Sequence, residues 1–370
     1  MIIKHAKVLE ENGTFSERTL YTEGERIAEQ GSGQVIDATG LYAVPGLIDI
    51  HFHGCAGKDF CDGTAESIRT MAEYELSQGI MSICPATMTI PASQIAGICQ
   101  VAGAYQSEKT EATLRGINLE GPFISPAKKG AQKEDHILAP DAGLLRQWME
   151  LSGGLCRLVC IAPEREGAMT FIDEVKDEIH ISVAHTMADY DTAMEAFRRG
   201  ADHITHLYNA MPGFTHRAPG VIGAGADQDH VYAELICDGV HIHPSAIRGA
   251  FKLYGSDRIV LISDSIEATG LEDGEYMLGG QPVTVRGNQA RLADGTLAGS
   301  ATNLMDCVRF LVKKVGVPLG TAVKCATVNP AKSIGIYDTV GSLTPGKAAD
   351  VVLLDQELRI VHKIHAGELV

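Results

Sequence analysis

Between residues 44 and about 335 the chain alternates short β-branched or apolar runs with longer stretches of helical spacing, and this alternation restricts the possible folds more than any other feature. Eight apolar runs can be counted, at 47–53, 81–87, 115–120, 157–162, 180–185, 203–206, 232–238 and 259–264. Amphipathic stretches at 65–78, 95–107, 188–199 and 246–253 lie between them. A strand followed by a helix, repeated eight times, predicts an α/β fold, a (β/α)8 TIM barrel. Turn-rich sequence at 275–298, with Gly279-Gly280 and Arg286-Gly287-Asn288, then reads as an inserted β-hairpin. Helical patterns resume at 303–314 and 319–333. Residues 1–43 and 336–370 read as short strands and turns, and neither piece is large enough to bury a core alone. Both termini are therefore expected to pair into one small β-sandwich domain beside a barrel domain spanning 44–335.

Composition narrows the functional classes. Of 370 residues 45% are hydrophobic, enough for a large core, yet no run is long enough to cross a membrane. The formal net charge of −16 is dispersed and no Lys/Arg block occurs, which argues against nucleic acid as a partner. Charge interrupts the first apolar residues too early for a signal-peptide core, so a cytoplasmic location is expected. The nine cysteines are an odd number at irregular spacings, mostly inside apolar runs, and read as reduced core residues, Cys156 and Cys160 included.

In a barrel of this kind chemistry gathers at the C-terminal ends of the strands. Metal-compatible side chains close several of the runs: His51 and His53 the first, Glu120 the third, His185 the fifth, His206 the sixth and Asp264 the eighth. In an extended strand His51 and His53 would share a face. Glu120, His185 and His206 supply the two imidazoles and one carboxylate of a catalytic divalent site with an open position. His51, His53 and Asp264 could hold a second ion, with Glu120 bridging, so one or two ions per chain are expected. Zinc is the usual choice for such a set, although iron, manganese and cobalt also accept these ligands. Asp264 could either ligate or accept a proton from an attacking water. His203 is expected to face away from His206 and play a structural part, and His5, His180, His230, His362 and His365 show no convergent partners.

The run from Val44 to Gly54 and the closing Pro345-Gly346-Lys347-Ala348-Ala349-Asp350 resemble the amidohydrolase superfamily. Within it, Leu119-Glu120-Gly121-Pro122-Phe123, Ala184-His185-Thr186, the stretch Thr205 to Met211, the stretch Cys237 to His241 and Leu297-Ala298-Gly299-Ser300 are similar to the N-acetylglucosamine-6-phosphate deacetylases. The resemblance implies a metal-dependent barrel that hydrolyses the acetamido group of a phosphorylated amino sugar, releasing acetate. It implies that Glu120, His185 and His206 hold the catalytic metal and that Asp264 is the general base and acid. It further implies that Asn209, Ala210 and Arg217 bind the sugar phosphate, with Arg217 crossing a homodimer interface. Ala131, Asp238, Gly239, Val240, His241, Leu297, Ala298 and Gly299 would line the substrate. Two departures stand out. Some members lack the second histidine of the first strand, whereas His51 and His53 are both present here, which leaves a one- or two-metal site open. Gln132 stands where other members carry a histidine that polarises the acetyl carbonyl, and its amide N–H can still donate. The galacto epimer of the substrate is the alternative within the enzymes. A non-catalytic scaffold on the same fold would have lost the ligands this chain keeps.

Overall fold

The computed structural model describes all residues from 1 to 370. Its centre is a set of parallel strands: Leu47–Asp49 (β1), Ile80–Ile83 (β2), Ile117–Leu119 (β3), Cys156–Ile161 (β4), His180–Val183 (β5), His203–Ile204 (β6), Tyr232–Ile236 (β7) and Ile259–Ile262 (β8). Strands β3 to β8 form one six-stranded sheet in chain order, every neighbour parallel. Strands β1 and β2 pair in parallel in a second sheet, which Thr113–Leu114 extends. A parallel bridge from Ala86 to Asn118 joins the two sheets after β2, and on the other side Asp264 N–H donates to His51 O at 2.9 Å. The result is a curled parallel sheet. Sequences such as Ile-Val-Leu-Ile in β8 are apolar at every position because both faces are covered, helices packing outside and side chains filling the inside.

Helices Ala65–Ser77, Ala142–Leu151 and Tyr190–Arg199 link successive strands, and each begins where a Thr or Asp side chain accepts a backbone N–H of the first turn: Thr64, Asp141 and Asp189. The helix predicted over 319–333 is broken into Leu319–Cys325 and Val328–Ser333. Pro330 lacks the N–H that would have bonded Ala326 four residues back. The Ala326 carbonyl instead accepts Ile48 N–H at 2.9 Å, which ties this late segment to β1.

The strands are shorter than the sequence runs, and the polar residues lie beyond their ends. β1 stops at Asp49, so His51 and His53 are not on a regular strand. Past β5, β6 and β8 the backbone turns into the left-handed region at His185 (φ 43°), His206 (φ 31°) and Asp264 (φ 50°). That conformation breaks the ladder and is costly for residues with a β-carbon, as functional positions often are.

The stretch after β8 makes four antiparallel strands, Gly274–Leu278, Gln281–Arg286, Gln289–Arg291 and Leu297–Ser300, rather than a single hairpin. Its first two turns are two-residue loops, Gly279-Gly280 and Gly287-Asn288, with positive φ at all three glycines. The chain termini meet in one eight-stranded sheet, where Val351–Leu354 runs antiparallel to both Tyr42–Pro45 and Ile360–His365. Ile3, Leu20, Ile27, Val351, Leu353 and Ile364 form a separate apolar cluster there. All nine cysteines are free thiols. No helix is long and apolar enough to cross a membrane.

Candidate metal centre

Glu120, one residue past β3, is the hub. Its Oε1 lies 3.1 Å from Nε2 of both His185 and His206 and 3.5 Å from Nε2 of His51. Its Oε2 lies 3.3 Å from His53 Nε2. Asp264 Oδ1 approaches the first pair of histidines from the far side, 3.3 Å from His53 Nε2 and 3.7 Å from His51 Nε2. His185 and His206 face each other with their Nε2 atoms 3.1 Å apart. Six side chains from five strand ends thus converge on one point, and all are buried.

The donors divide into two sets that could each hold an ion, Glu120 with His185 and His206, and Glu120 with His51 and His53. Imidazole and carboxylate donors in threes suit a divalent transition metal. An orphaned atom supports the fit: buried His51 Nε2 has no hydrogen-bond partner although it points at two carboxylates. A cation between them would satisfy all three groups at once.

Three of the remaining ring nitrogens are held from behind, and the fourth, His206 Nδ1, is buried without a partner. His51 Nδ1 lies 2.9 Å from Glu234 Oε2, His185 Nδ1 2.9 Å from the Lys128 carbonyl and His53 Nδ1 3.3 Å from the Ala86 carbonyl. Acceptors at these positions keep the proton on Nδ1 and present the Nε2 lone pair to the centre. Without an ion, the surrounding carboxylates favour positive charge on the rings themselves. Burial opposes charge on His53, but the Asp264 and Glu120 carboxylates outweigh it and push the imidazole up to about 10. For His51 burial is likewise outweighed, by Glu234 and Glu120. Burial would raise the Glu120 carboxyl, yet the charge on His51 and the bonds from His185 and His206 hold it well below the usual range. Asp264 is also held low, burial being overcome by His53 and His51. The pocket stabilises positive charge wherever it can be placed.

Above the centre opens a cavity of about 210 Å³. His53, Glu120, Gln132, His185, His206 and Asp264 form its floor, and Ala131, Asn209, Ala210, His241, Leu297 and Gly299 line it higher up. Asp238, Gly239, Val240 and Ala298 do not line it. Asp238 instead lies behind His241, accepting its Nδ1–H at 2.7 Å and the backbone N–H groups of Val240 and His241 at 2.8 and 2.9 Å. Gly239 (φ 79°) passes so close to Phe310 that a β-carbon would stand 2.6 Å from the ring. Ala298 is buried. Arg217 is on an exposed stretch of loop after β6, outside the cavity lining.

Gln132 lies differently from the sequence expectation. Its amide nitrogen donates to Glu120 Oε2 at 2.7 Å while its carbonyl accepts Thr89 N–H at 2.6 Å, so both ends are engaged in fixing the hub. Glu234, Met88, Leu278 and Gly130 were not read from the sequence. Glu234 left a signal, a carboxylate inside the otherwise apolar run Tyr232–Ile236. His180 also departs from expectation: its Nδ1 lies 2.6 Å from Asp202, which His203 Nδ1 approaches at 3.2 Å, so the two histidines share a carboxylate at the start of β5 and β6. His365 likewise has a partner, with its Nδ1 2.8 Å from Asp350.

Comparison with known proteins places this geometry. The Amidohydrolase family matches residues 42–368. The N-acetylglucosamine-6-phosphate deacetylase of Bacillus subtilis (strain 168) is 38% identical over 373 residues, covering 100% of this chain and 93% of that protein. The N-acetylgalactosamine-6-phosphate deacetylase of Escherichia coli O157:H7 is 36% identical, covering 88% of this chain and 86% of its own. Among solved structures, an alanine mutant of the Mycobacterium smegmatis N-acetyl-D-glucosamine-6-phosphate deacetylase, in complex with N-acetyl-D-glucosamine-6-phosphate, superposes with a TM-score of 0.91 at 30% identity, covering 100% of this chain and 98% of that one. With a family match across most of its length and relatives this similar end to end, the chain belongs to the amidohydrolase family, alongside its amino-sugar 6-phosphate deacetylases.

Proposed function

We propose that this protein hydrolyses the acetamido group of N-acetylglucosamine 6-phosphate to glucosamine 6-phosphate and acetate. The observation that carries the reading is the meeting of Glu120, His185, His206, His53 and Asp264 at the floor of one cavity, with His51 directly behind them. Two of the relatives above bear that activity in their names, and one of these is a complex with N-acetyl-D-glucosamine-6-phosphate.

Glu120, His185 and His206 would hold one divalent ion, and His51 and His53 with Glu120 a second, zinc being the first candidate. Such an ion, when bound, polarises the amide carbonyl and acidifies a water. The chain's own residues do the rest. Asp264, reaching the floor from β8, takes the proton of the attacking water on its carboxylate and returns it to the departing amine. Gln132 holds the Glu120 carboxylate between the two donor sets through the 2.7 Å amide bond. His241, steadied by Asp238, stands over the sugar, and Ala131, Leu297 and Gly299 close its sides, with Gly239, Val240 and Ala298 backing them. Asn209 and Ala210 meet the phosphate, and Arg217, projecting from its loop, reaches the phosphate of a second copy in a homodimer.

The scaffold follows the same reading. The links from Ala86 to Asn118 and from Asp264 to His51 support a closed (β/α)8 barrel over residues 44–335. The terminal strand Ile2–Leu9 pairs with Val35–Asp37 along its first half and with Tyr42–Pro45 along its second, bending at His5 (φ 60°). That bend lets one sheet fold over its own apolar cluster as a small sandwich built from 1–43 and 336–370.

Acetate release from the gluco and galacto substrates, measured alongside metal content per chain, tests the reading. Turnover of the gluco substrate is expected. No release from either substrate by the metal-loaded protein overturns it. The Escherichia coli relative supports a galacto preference as the second reading, and the two kcat/KM values decide between the epimers.

A further inference from the structure

Beneath the floor one carboxylate touches both halves of the centre. Glu234 is in the middle of β7, with no exposed surface, in an apolar run where burying a charge is costly unless it is well paired. Its Oε2 accepts from His51 Nδ1 at 2.9 Å and from the backbone N–H of His206 at 3.2 Å. Its main-chain carbonyl accepts Leu207 N–H at 2.8 Å. A single residue therefore grips a side chain that faces one ion position and the backbone turn that presents the other.

Each grip has a definite effect. Opposite a carboxylate, the His51 proton stays on Nδ1 and the Nε2 lone pair is left aimed at Glu120 and Asp264, as ligation requires. The other tautomer would put a hydrogen into the centre and set a lone pair against Glu234. His206 occupies the left-handed region at φ 31°, which a residue with a β-carbon avoids unless its surroundings hold it there. The bonds at the N–H groups of His206 and Leu207 supply that hold.

We propose that Glu234 is a positioning residue that couples the two ion positions, fixing the His51 tautomer for one and the His206 turn for the other. The inference rests on the metal-centre reading above. In a protein so built, removing the carboxylate weakens both positions and loosens the dependence of one on the other.

The experiment uses full-length protein stripped of metal and titrated with zinc against a competing chelator, for wild type, Glu234→Gln and Glu234→Ala. Circular dichroism checks the fold, and the glutamine variant preserves volume if the alanine variant does not fold. Wild type is expected to take two equivalents, and both to lose affinity in the variants, by about 10–100-fold each. Nitrogen-15 shifts of labelled histidine in the zinc-loaded protein give a second readout besides affinity: the form of one histidine that is protonated at Nδ1 and ligated through Nε2, assigned as His51 by its loss in His51→Asn, should give way to a mixture in both variants. Wild-type affinities together with an unchanged tautomer in the variants overturn the proposal while leaving the metal centre intact. A wild type that binds a single equivalent removes the coupling, and one that binds none removes the metal-centre reading itself.

Discussion

Asp264 has one oxygen beside His53 and the other free to face a substrate, which separates its proton-transfer duty from the binding of metal by the histidines. Asp264→Asn should keep its metal content and lose turnover by about 10²–10⁴-fold, the usual worth of a positioned acid–base group. Normal turnover in that variant would remove Asp264 from the chemistry. A second buried acid pair makes a prediction of its own. Glu75, in helix Ala65–Ser77, has no partner on either carboxylate oxygen and is near Asp49. Burial first and mutual repulsion second raise the Glu75 carboxyl well above its ordinary value, and burial raises Asp49 to about 7. A raised acid keeps its proton in the native state at pH values where the unfolded chain has lost it, so native stability falls as pH climbs above the unfolded value. Glu75→Gln, neutral throughout, should therefore gain on wild type progressively as pH climbs above the ordinary carboxylate range. Urea midpoints at several pH values measure this, and a pH-independent difference would show that Glu75 ionises freely. The sequence displayed both kinds of residue unevenly. His51, Glu120 and Asp264 ended apolar runs and drew notice, whereas Glu75 lay on a helix whose periodicity was intact and Glu234 interrupted an apolar run without betraying its partner, because nothing in one sequence reveals which buried carboxylate faces which group.

The strand-and-helix rhythm was legible because strands buried on both faces are apolar throughout and the intervening helices carry one apolar stripe. Strand ends were not legible. The runs continued as far as His185, His206 and Asp264, but in each case ladder pairing stopped two residues earlier, before the backbone turns left-handed. Propensity has no term for a conformation imposed by tertiary contacts. The inserted segment shows the opposite case in part, since Gly279-Gly280 and Gly287-Asn288 marked its first two turns in the sequence, although the third turn and fourth strand were not foreseen. Helix Leu319–Cys325 rests against the turn between the first two strands of the terminal sheet, and a β-carbon on Gly320 would stand 1.9 Å from the Gly13 carbonyl oxygen. Backbone on both sides leaves little room to give. Gly320→Ala should cost about 1–3 kcal/mol, in line with other overpacked contacts. A urea midpoint equal to wild type would show that the two elements slide apart freely.

Across the whole molecule, the metal centre collects side chains from strand ends separated by more than two hundred residues of sequence, so ion binding should stabilise the folded chain as a unit. Exhaustive chelation is expected to lower the thermal midpoint and zinc to restore it, a ligand at a hundred times its dissociation constant being worth about 2.7 kcal/mol. An unchanged midpoint after verified metal removal would mean that the centre is rigid without an ion. Long-range convergence of this sort was inferred from the order of residue types along the runs, because barrel topology dictates which ends come together. The pairing of the two termini was inferred from their inability to form a core alone. What could not be foreseen was the seam at Pro330, where a carbonyl released by the broken helix captures Ile48 N–H. That stitch ties distant parts of the sequence together. Ala326 follows His51 and His53 by nearly three hundred residues, and the flanking strand Tyr42–Pro45 pairs with Val351–Leu354, farther on still. Truncation before Ala326 would leave all six side chains of the centre in the chain while removing both the carbonyl and the strand that hold the segment bearing the first two.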